Sequence, residues 1–260
     1  MLDDVLVACD FSPSSKRAVA YGVDLVERTG ATLHLMHIQE VAMGPFVGGK
    51  PSPEAGDGKV LEEFTEQSQE AFEALFRPLD DDRITYVVKR RGSVAPALVQ
   101  YAEEHGIDLI GMGTHGRRGV ERVLFGSVAE EVLRTASCPV LTSRVKEEQS
   151  APDLSIKQVV VPIDFSDPSK AALHYASRLA ALYDAPLTLA HIVQLPNIPT
   201  VYQAEFSDLS PQEVEGRVRT ELKEWVHSTP PPHQDVSYAV ESGDPVPTIL
   251  QLASTPHDLL

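Results

Sequence analysis

Short apolar runs alternate with longer amphipathic stretches along the whole chain. Residues 5–9 form an apolar run that predicts a buried parallel strand. After it, Ser12 and Pro13 predict a helix start, and Gly30 predicts the helix end. The same alternation predicts further strands over residues 32–38, 84–88, 108–110 and 139–142, and further helices over residues 61–79, 93–106 and 128–134. A strict strand–helix order predicts an α/β fold, with helices on both faces of a parallel sheet.

The pattern restarts after a polar segment at residues 146–155. Residues 159–166, V-V-V-P-I-D-F-S, repeat residues 5–12, V-L-V-A-C-D-F-S. We therefore predict two tandem Rossmann-like, doubly wound parallel sheets of strand order 3-2-1-4-5, in domains 1–145 and 156–260. We expect the second copy to be C-terminally incomplete, truncated before its glycine loop, because Leu260 falls within its fourth strand.

Composition narrows the class of protein. The 260 residues carry 42% hydrophobic side chains, enough for a packed core, and a net charge of −16 disfavours nucleic acid and anionic membranes as partners. Two cysteines, no apolar run of bilayer length and no basic leader predict a cytoplasmic location. Because the Cys and His residues do not cluster at ligand spacing, we expect no structural zinc site.

A glycine-rich stretch carries the clearest chemical signal. Gly111, Gly113 and Gly116 follow the predicted fourth strand, and Gly126–Ser127 precede the next predicted helix. Ser127 with Glu130 predicts a capping box at that helix start. A strand, a glycine loop and a capped helix form a cradle of backbone N–H groups for phosphate. The glycines also spell the dinucleotide fingerprint G-x-G-x-x-G, and a simple tight turn is the third interpretation.

The spacing Gly113-x2-Gly116-x9-Gly126-Ser127 resembles the nucleotide-binding loop of the universal stress protein family, in its ATP-binding subclass. The resemblance covers the whole chain, twice over. It implies that adenine and ribose meet the end of the first strand and the second strand, and that the phosphates meet the glycine loop. The residues at the matching positions are Ala8, Asp10, Ile38, Met112, Gly113, His115, Gly116, Gly126, Ser127 and Val128. It also implies ATP as the ligand, with Mg2+ bound through the ATP phosphates.

Several residues admit a functional and a structural interpretation. Asp10 either accepts hydrogen bonds from a base or ribose, or caps the next helix. His115 is expected to be a loop donor, and His37 and His191 to serve packing or backbone bonding. Cys9 is expected to be a buried, inert thiol. The Gly- and Pro-rich residues 40–59 are either a lid or a disordered insertion.

No nucleophile–base pair stands out in the sequence, so no catalytic residue is assigned. The resemblance predicts an ATP-binding module in stress response or signalling. The alternatives are a slow ATPase or adenylyl-transferring enzyme, and a dimerisation module that binds no nucleotide. We expect the two copies to pair within one chain and a homodimer to form through the fifth strand of the first copy. One complete glycine loop predicts one nucleotide per chain.

Overall fold

The computed structural model describes residues 2–40, 46–47, 50–51, 70, 82–114, 126–144, 154–194, 211–227, 235–253 and 258–260. The chain divides into two compact units, Met1–Pro152 and Asp153–Leu260. Each unit contains a parallel sheet whose strands alternate with helices along the chain.

The first unit has a five-stranded parallel sheet of order β5-β2-β1-β6-β7. Its strands are β1 (Asp4–Ala8), β2 (Thr32–Glu40), β5 (Ile84–Arg91), β6 (Leu109–Gly113) and β7 (Val140–Ser143). Its helices are α1 (Pro13–Thr29), α2 (Val94–His105) and α3 (Ser127–Thr135). A separate antiparallel pair joins β3 (Phe46–Val47) to β4 (Lys50–Pro51).

The second unit has a four-stranded sheet of order β10-β9-β8-β11. Its strands are β8 (Gln158–Pro162), β9 (Leu187–Val193), β10 (Val236–Ser242) and β11 (Asp258–Leu259). Its helices are α4 (Asp167–Tyr183), α5 (Pro211–His227) and α6 (Pro245–Leu252). The predicted α/β class and the strand order 3-2-1-4-5 are thus confirmed, with the second copy matching the first four positions of that order.

Alternate residues along the strands of the first unit face opposite layers. Leu6, Met36 and Ile110 belong to a buried cluster that also contains side chains of α2 and α3. The residues next to these in the strands face α1. Gly111 is one of them, and a Cβ added to it would lie 3.1 Å from Cγ2 of Val7 on the same face of the sheet. Both faces of the sheet are therefore buried, which accounts for the nearly continuous apolar strands.

Local signals in the sequence predicted most ends of the helices and strands correctly. Ser12 is the N-cap of α1, with Pro13 in the first turn and Gly30 as a left-handed C-cap, as predicted. The predicted strands at 32–38 and 84–88 extend further, to Glu40 and Arg91. The predicted helix at 61–79 lies outside the described residues, apart from Glu70, and so does most of the 40–59 segment.

A partly buried polar cluster lies at the amino-terminal edge of the first sheet. His34 Nε2 lies 3.2 Å from Asp4 Oδ1, and His34 Nδ1 lies 2.8 Å from the Tyr101 hydroxyl. A carboxylate only accepts, so Nε2 carries the hydrogen, and in that tautomer Nδ1 accepts from the Tyr101 hydroxyl. Burial raises the pKa of Tyr101, which keeps this hydroxyl available as a donor.

Replacing Tyr101 with Phe is expected to destabilise the chain by about 1–3 kcal/mol, because His34 Nδ1 would stay buried without its donor. Urea-induced unfolding followed by circular dichroism measures the loss. Tyr238→Phe is the matched control, since the Tyr238 hydroxyl has no hydrogen-bond partner within the described part of the chain. Equal stability of Tyr101→Phe and wild type would contradict this account of the cluster.

Candidate functional site

The strand order of the first sheet reverses direction between β1 and β6. The two strands pair in parallel, with Val5 opposite Leu109 and Val7 opposite Gly111. The chain leaves β1 into α1 on one face of the sheet, whereas α3, which follows β6, packs on the other face. Such a reversal opens a crevice beyond the carboxyl ends of the two strands, where ligands bind in doubly wound folds.

On the β1 side, the crevice begins with a turn tied by short-range hydrogen bonds. Asp10 Oδ1 accepts from the Ser12 N–H at 3.0 Å, and the Asp10 N–H donates to Ser15 Oγ at 3.3 Å. Ser12 Oγ accepts from the Ser15 N–H at 3.2 Å and so caps α1. The capping role considered for Asp10 thus belongs to Ser12, and the Asp10 carboxylate instead closes the turn between β1 and α1.

Phe11 holds an unusual backbone conformation in this turn. Its φ of 66° is in the left-handed region, which costs a residue with a side chain about 1–2 kcal/mol. The Phe11 ring packs against His37, with centroids 4.8 Å apart. His37 Nδ1 lies 2.7 Å from the carbonyl oxygen of Cys9, and since a carbonyl only accepts, Nδ1 carries the hydrogen. The expectation that His37 serves packing and backbone bonding is confirmed.

The second unit builds the same turn from its own residues. Phe165 has φ 65°, and its ring lies 4.8 Å from that of His191 between centroids. His191 Nδ1 lies 2.7 Å from the Ile163 carbonyl oxygen. Asp164 Oδ1 accepts from the Ser166 N–H at 3.0 Å and from Ser169 Oγ at 2.5 Å. Hydrogen bonds from Ser166 and Ser169 lower the pKa of Asp164 to about 2.

Ser169→Ala is expected to raise the pKa of Asp164 towards its ordinary value of 3.8, because the carboxylate loses a donor. A depressed carboxyl pKa stabilises the fold above the unfolded pKa, and this stabilisation is lost as the pH falls towards 2. An NMR titration of the Asp164 carboxyl measures the change. Ser177→Ala is the control, since Ser177 lies in the same helix and donates to the Leu173 carbonyl oxygen instead. A pKa that stays near 2 in Ser169→Ala would contradict the assignment.

On the β6 side, the crevice depends on a very close approach of two backbones. A Cβ at Gly113 would lie 2.7 Å from the Ser15 nitrogen and 2.8 Å from the Ser14 carbonyl carbon. Ser143 Oγ donates to the Ser14 carbonyl oxygen at 2.7 Å, which fixes the end of β7 to the same helix start. Gly113 therefore has a packing role that is independent of any ligand.

Gly113→Ala is expected to destabilise the chain by about 1–3 kcal/mol, because the methyl group would overlap the first turn of α1. Gly216→Ala is the matched control. Gly216 lies within α5 with nothing within 4 Å of its added Cβ, so alanine there should stabilise by about 0.5–1 kcal/mol. Thermal unfolding of both variants measures the two effects, and a neutral Gly113→Ala would show that α1 can shift without cost.

The start of α3 differs from its prediction. The N-cap is Gly126, without a side-chain cap bond, and Ser127 is the first helical residue. The predicted capping box is wrong: Glu130 instead pairs with Arg134 at 3.1 Å, one turn further along the helix. The Gly126 N–H donates to the Thr114 carbonyl oxygen at 2.7 Å, so this N–H is already engaged.

Three consecutive N–H groups remain at the start of α3. Those of Ser127, Val128 and Ala129 have no partner within the residues that the structure describes. The Gly126–Thr114 bond holds them beside the end of β6, at the crevice. Helix starts of this kind attract anions through their donors and the positive end of the helix dipole.

The other residues predicted to contact a nucleotide fall into three groups. Some form an apolar border of the crevice, one lies in the core, and two lie outside the described residues. Ala8, Ile38 and Val128 are half-buried and pack against the same buried cluster. Met112 has its side chain in that cluster, at 4% exposure, so only its main chain faces the crevice region. His115 and Gly116 lie outside the described residues.

Sequence reasoning did not assign Phe11, Thr114 or Ser143 to this edge of the fold. The recurrence of D-F-S in both copies was the available signal for Phe11. Thr114 and Ser143, each 5% exposed, had no comparable signal, because their roles are contacts between distant segments. Cys9 is 3% exposed and burial raises its pKa, which agrees with the expected inert thiol.

Within the described ranges, no helix has both the length and the apolar composition needed to cross a bilayer. In the same ranges, no group of three or more His, Cys, Asp or Glu side chains is placed to hold a metal ion.

The fold and crevice define a tandem, Rossmann-like doubly wound protein with a helix start at the switch point of its first sheet. The sequence model of the universal stress protein family matches residues 1–144 and 155–257. The chain therefore belongs to the universal stress protein family, as the glycine spacing had indicated.

Known relatives agree with this assignment. The chain is 30% identical over 147 residues to a universal stress protein of Methanocaldococcus jannaschii, covering 56% of this chain and 84% of the relative. A solved universal stress protein from Archaeoglobus fulgidus has the same fold, with a TM-score of 0.62 over 98% of this chain and 82% of its own, at 19% identity. Another from Archaeoglobus fulgidus, solved in complex with dAMP, matches 55% of this chain and 98% of its own at 20% identity, with a TM-score of 0.38.

Proposed function

We propose that the first unit binds ATP, with Mg2+ held through the ATP phosphates, in the crevice between β1 and β6. The observation that carries the proposal is the cluster of three consecutive N–H groups at the start of α3. They lie at the topological switch point of the sheet, where this fold class binds its ligands. Main-chain donors at a helix start suit phosphate oxygens, which are strong acceptors.

The side chains that border the crevice suit a nucleotide better than a simple phosphate ion. Ala8, Ile38 and Val128 offer half-buried apolar surface on the α2–α3 side, which suits the faces of a purine base. Asp10 offers carboxylate oxygens on the α1 side, which suit ribose hydroxyls or exocyclic amines. Gly113, Gly126 and the main chain at Met112 join these two borders, and His115 and Gly116 complete the proposed set.

Because the chain is strongly acidic, the kind of group that donates hydrogen bonds to the phosphates matters. A net charge of −16 repels a polyphosphate, whereas Mg2+ reduces the charge that the site must accept. Neutral N–H dipoles held in place can bind phosphate without a buried cation. We propose the resulting ATP complex as a nucleotide-dependent module in stress response or signalling, with the homodimer through β7 as an accompanying prediction.

Ser127→Pro tests the phosphate cradle without disturbing the helix. Proline is well tolerated at the first helical position, and the extended Gly126, with φ −70° and ψ 153°, is compatible with a following proline. The substitution removes one N–H group and one hydroxyl, and we expect it to weaken ATP binding about tenfold or more. Titration calorimetry with ATP and Mg2+ measures the affinity.

Ser127→Ala is the matched control, because it removes the hydroxyl and keeps the N–H group. The proposal expects Ser127→Pro to bind clearly more weakly than Ser127→Ala. Equal affinity of Ser127→Pro and wild type, with both chains folded, would overturn the phosphate cradle. Wild-type chain that takes up no ATP would favour the dimerisation module, and rapid release of ADP at saturating ATP would favour the enzyme.

A further inference from the structure

We propose that His37 is the positioning residue of the nucleotide site, acting through the Asp10 turn rather than on the ligand. His37 contacts the residues on both sides of Asp10: Nδ1 donates to the Cys9 carbonyl oxygen at 2.7 Å, and the ring packs on Phe11 at 4.8 Å. The inference rests on the proposed ATP site and names the group that sets the geometry of its β1 side.

The turn needs such a support because its conformation is not one that Phe11 prefers. The left-handed φ of 66° persists only where surrounding contacts stabilise it. This conformation reverses the chain directly after Asp10 and brings the Ser12 N–H to 3.0 Å from Asp10 Oδ1. A relaxed Phe11 would move Asp10 and the Ser12 cap together.

Strand geometry links this support to the other side of the site. Successive residues of a strand face opposite sides of the sheet, so His37 faces the turn and α1 while Ile38 faces the α2–α3 layer. The Cys9 N–H also donates to the Met36 carbonyl oxygen at 2.9 Å, which pairs the turn with β2 at the same level. One short segment of β2 thus supplies Ile38 to the apolar border of the crevice and, through His37, sets the position of Asp10 at the polar border.

The second unit shows that the arrangement is a unit of structure rather than an isolated contact. His191, Phe165 and the Ile163 carbonyl oxygen repeat the same bond length and ring distance. His191→Ala is therefore a matched control, because it breaks the same bond at a turn that the proposed site does not contain.

Two substitutions separate the two contacts of His37. His37→Asn keeps an N–H donor close to the position of Nδ1 and removes the ring, whereas His37→Phe keeps a ring and removes the donor. Alkylation of Cys9 by iodoacetamide, followed site by site with mass spectrometry, reports opening of the turn, since Cys9 is only 3% exposed. Cys138 in the same sample is the internal reference.

We expect His37→Phe to speed the alkylation of Cys9 and to weaken ATP binding about tenfold, as one lost hydrogen bond would. His37→Asn should stay close to wild type in both measurements, and His191→Ala should change neither. Circular dichroism checks that each variant is folded. The comparison of His37→Asn with His37→Phe also avoids His37→Ala, which would remove the ring and the donor together.

The two proposals fail in different ways. Wild-type chain without ATP binding overturns the proposed function, and this inference with it. Wild-type binding together with unchanged ATP affinity in His37→Phe overturns the inference alone. Weaker ATP binding in His37→Phe without faster alkylation of Cys9 would mean direct contact between His37 and the ligand, which also overturns the positioning role.

Discussion

The close approach of α1 to the end of β6 is the contact on which the rest of the site depends. At Gly113 there is no room for a side chain, since a Cβ would lie 2.7 Å from the Ser15 nitrogen. The same helix start receives the Ser143 hydroxyl at 2.7 Å, and the Gly126 N–H bonds the residue after Gly113. The ends of two strands, β6 and β7, and the starts of two helices, α1 and α3, are thereby brought together at one edge.

This contact changes how the glycine-rich motif is understood. Gly111 and Gly113 lie on the face of β6 that meets α1, where a Cβ would approach Val7 or the helix backbone. Gly126 allows the N-cap to approach the Thr114 carbonyl oxygen, which would lie 3.1 Å from an added Cβ. The glycines therefore build the walls of the crevice, and the donors proposed for phosphate belong mainly to the residues that follow Gly126.

The sequence was a good guide wherever local chemistry decides structure. Ser12, Pro13 and Gly30 marked the ends of α1 because caps and φ preferences act within a few residues. The capping box at Ser127 was wrong because the helix begins at Ser127 itself, with Gly126 as the N-cap, a shift of one residue that local spacing leaves open. The contacts of Thr114 with Ser143 and of Ser14 with Ser143 were beyond prediction, since they join residues 29 and 129 positions apart.

Electrostatics explains why such a scaffold suits an acidic chain. The chain has a net charge of −16, so its composition does not favour a phosphate site built from exposed lysines. Backbone N–H dipoles bind an anion without adding a titratable charge, but only where the fold holds them in one orientation. The packing of Gly113 against α1 and the bond from Gly126 to Thr114 provide that orientation. In the proposed site, close packing behind the crevice would thus hold the N–H donors of α3 in the orientation that phosphate needs.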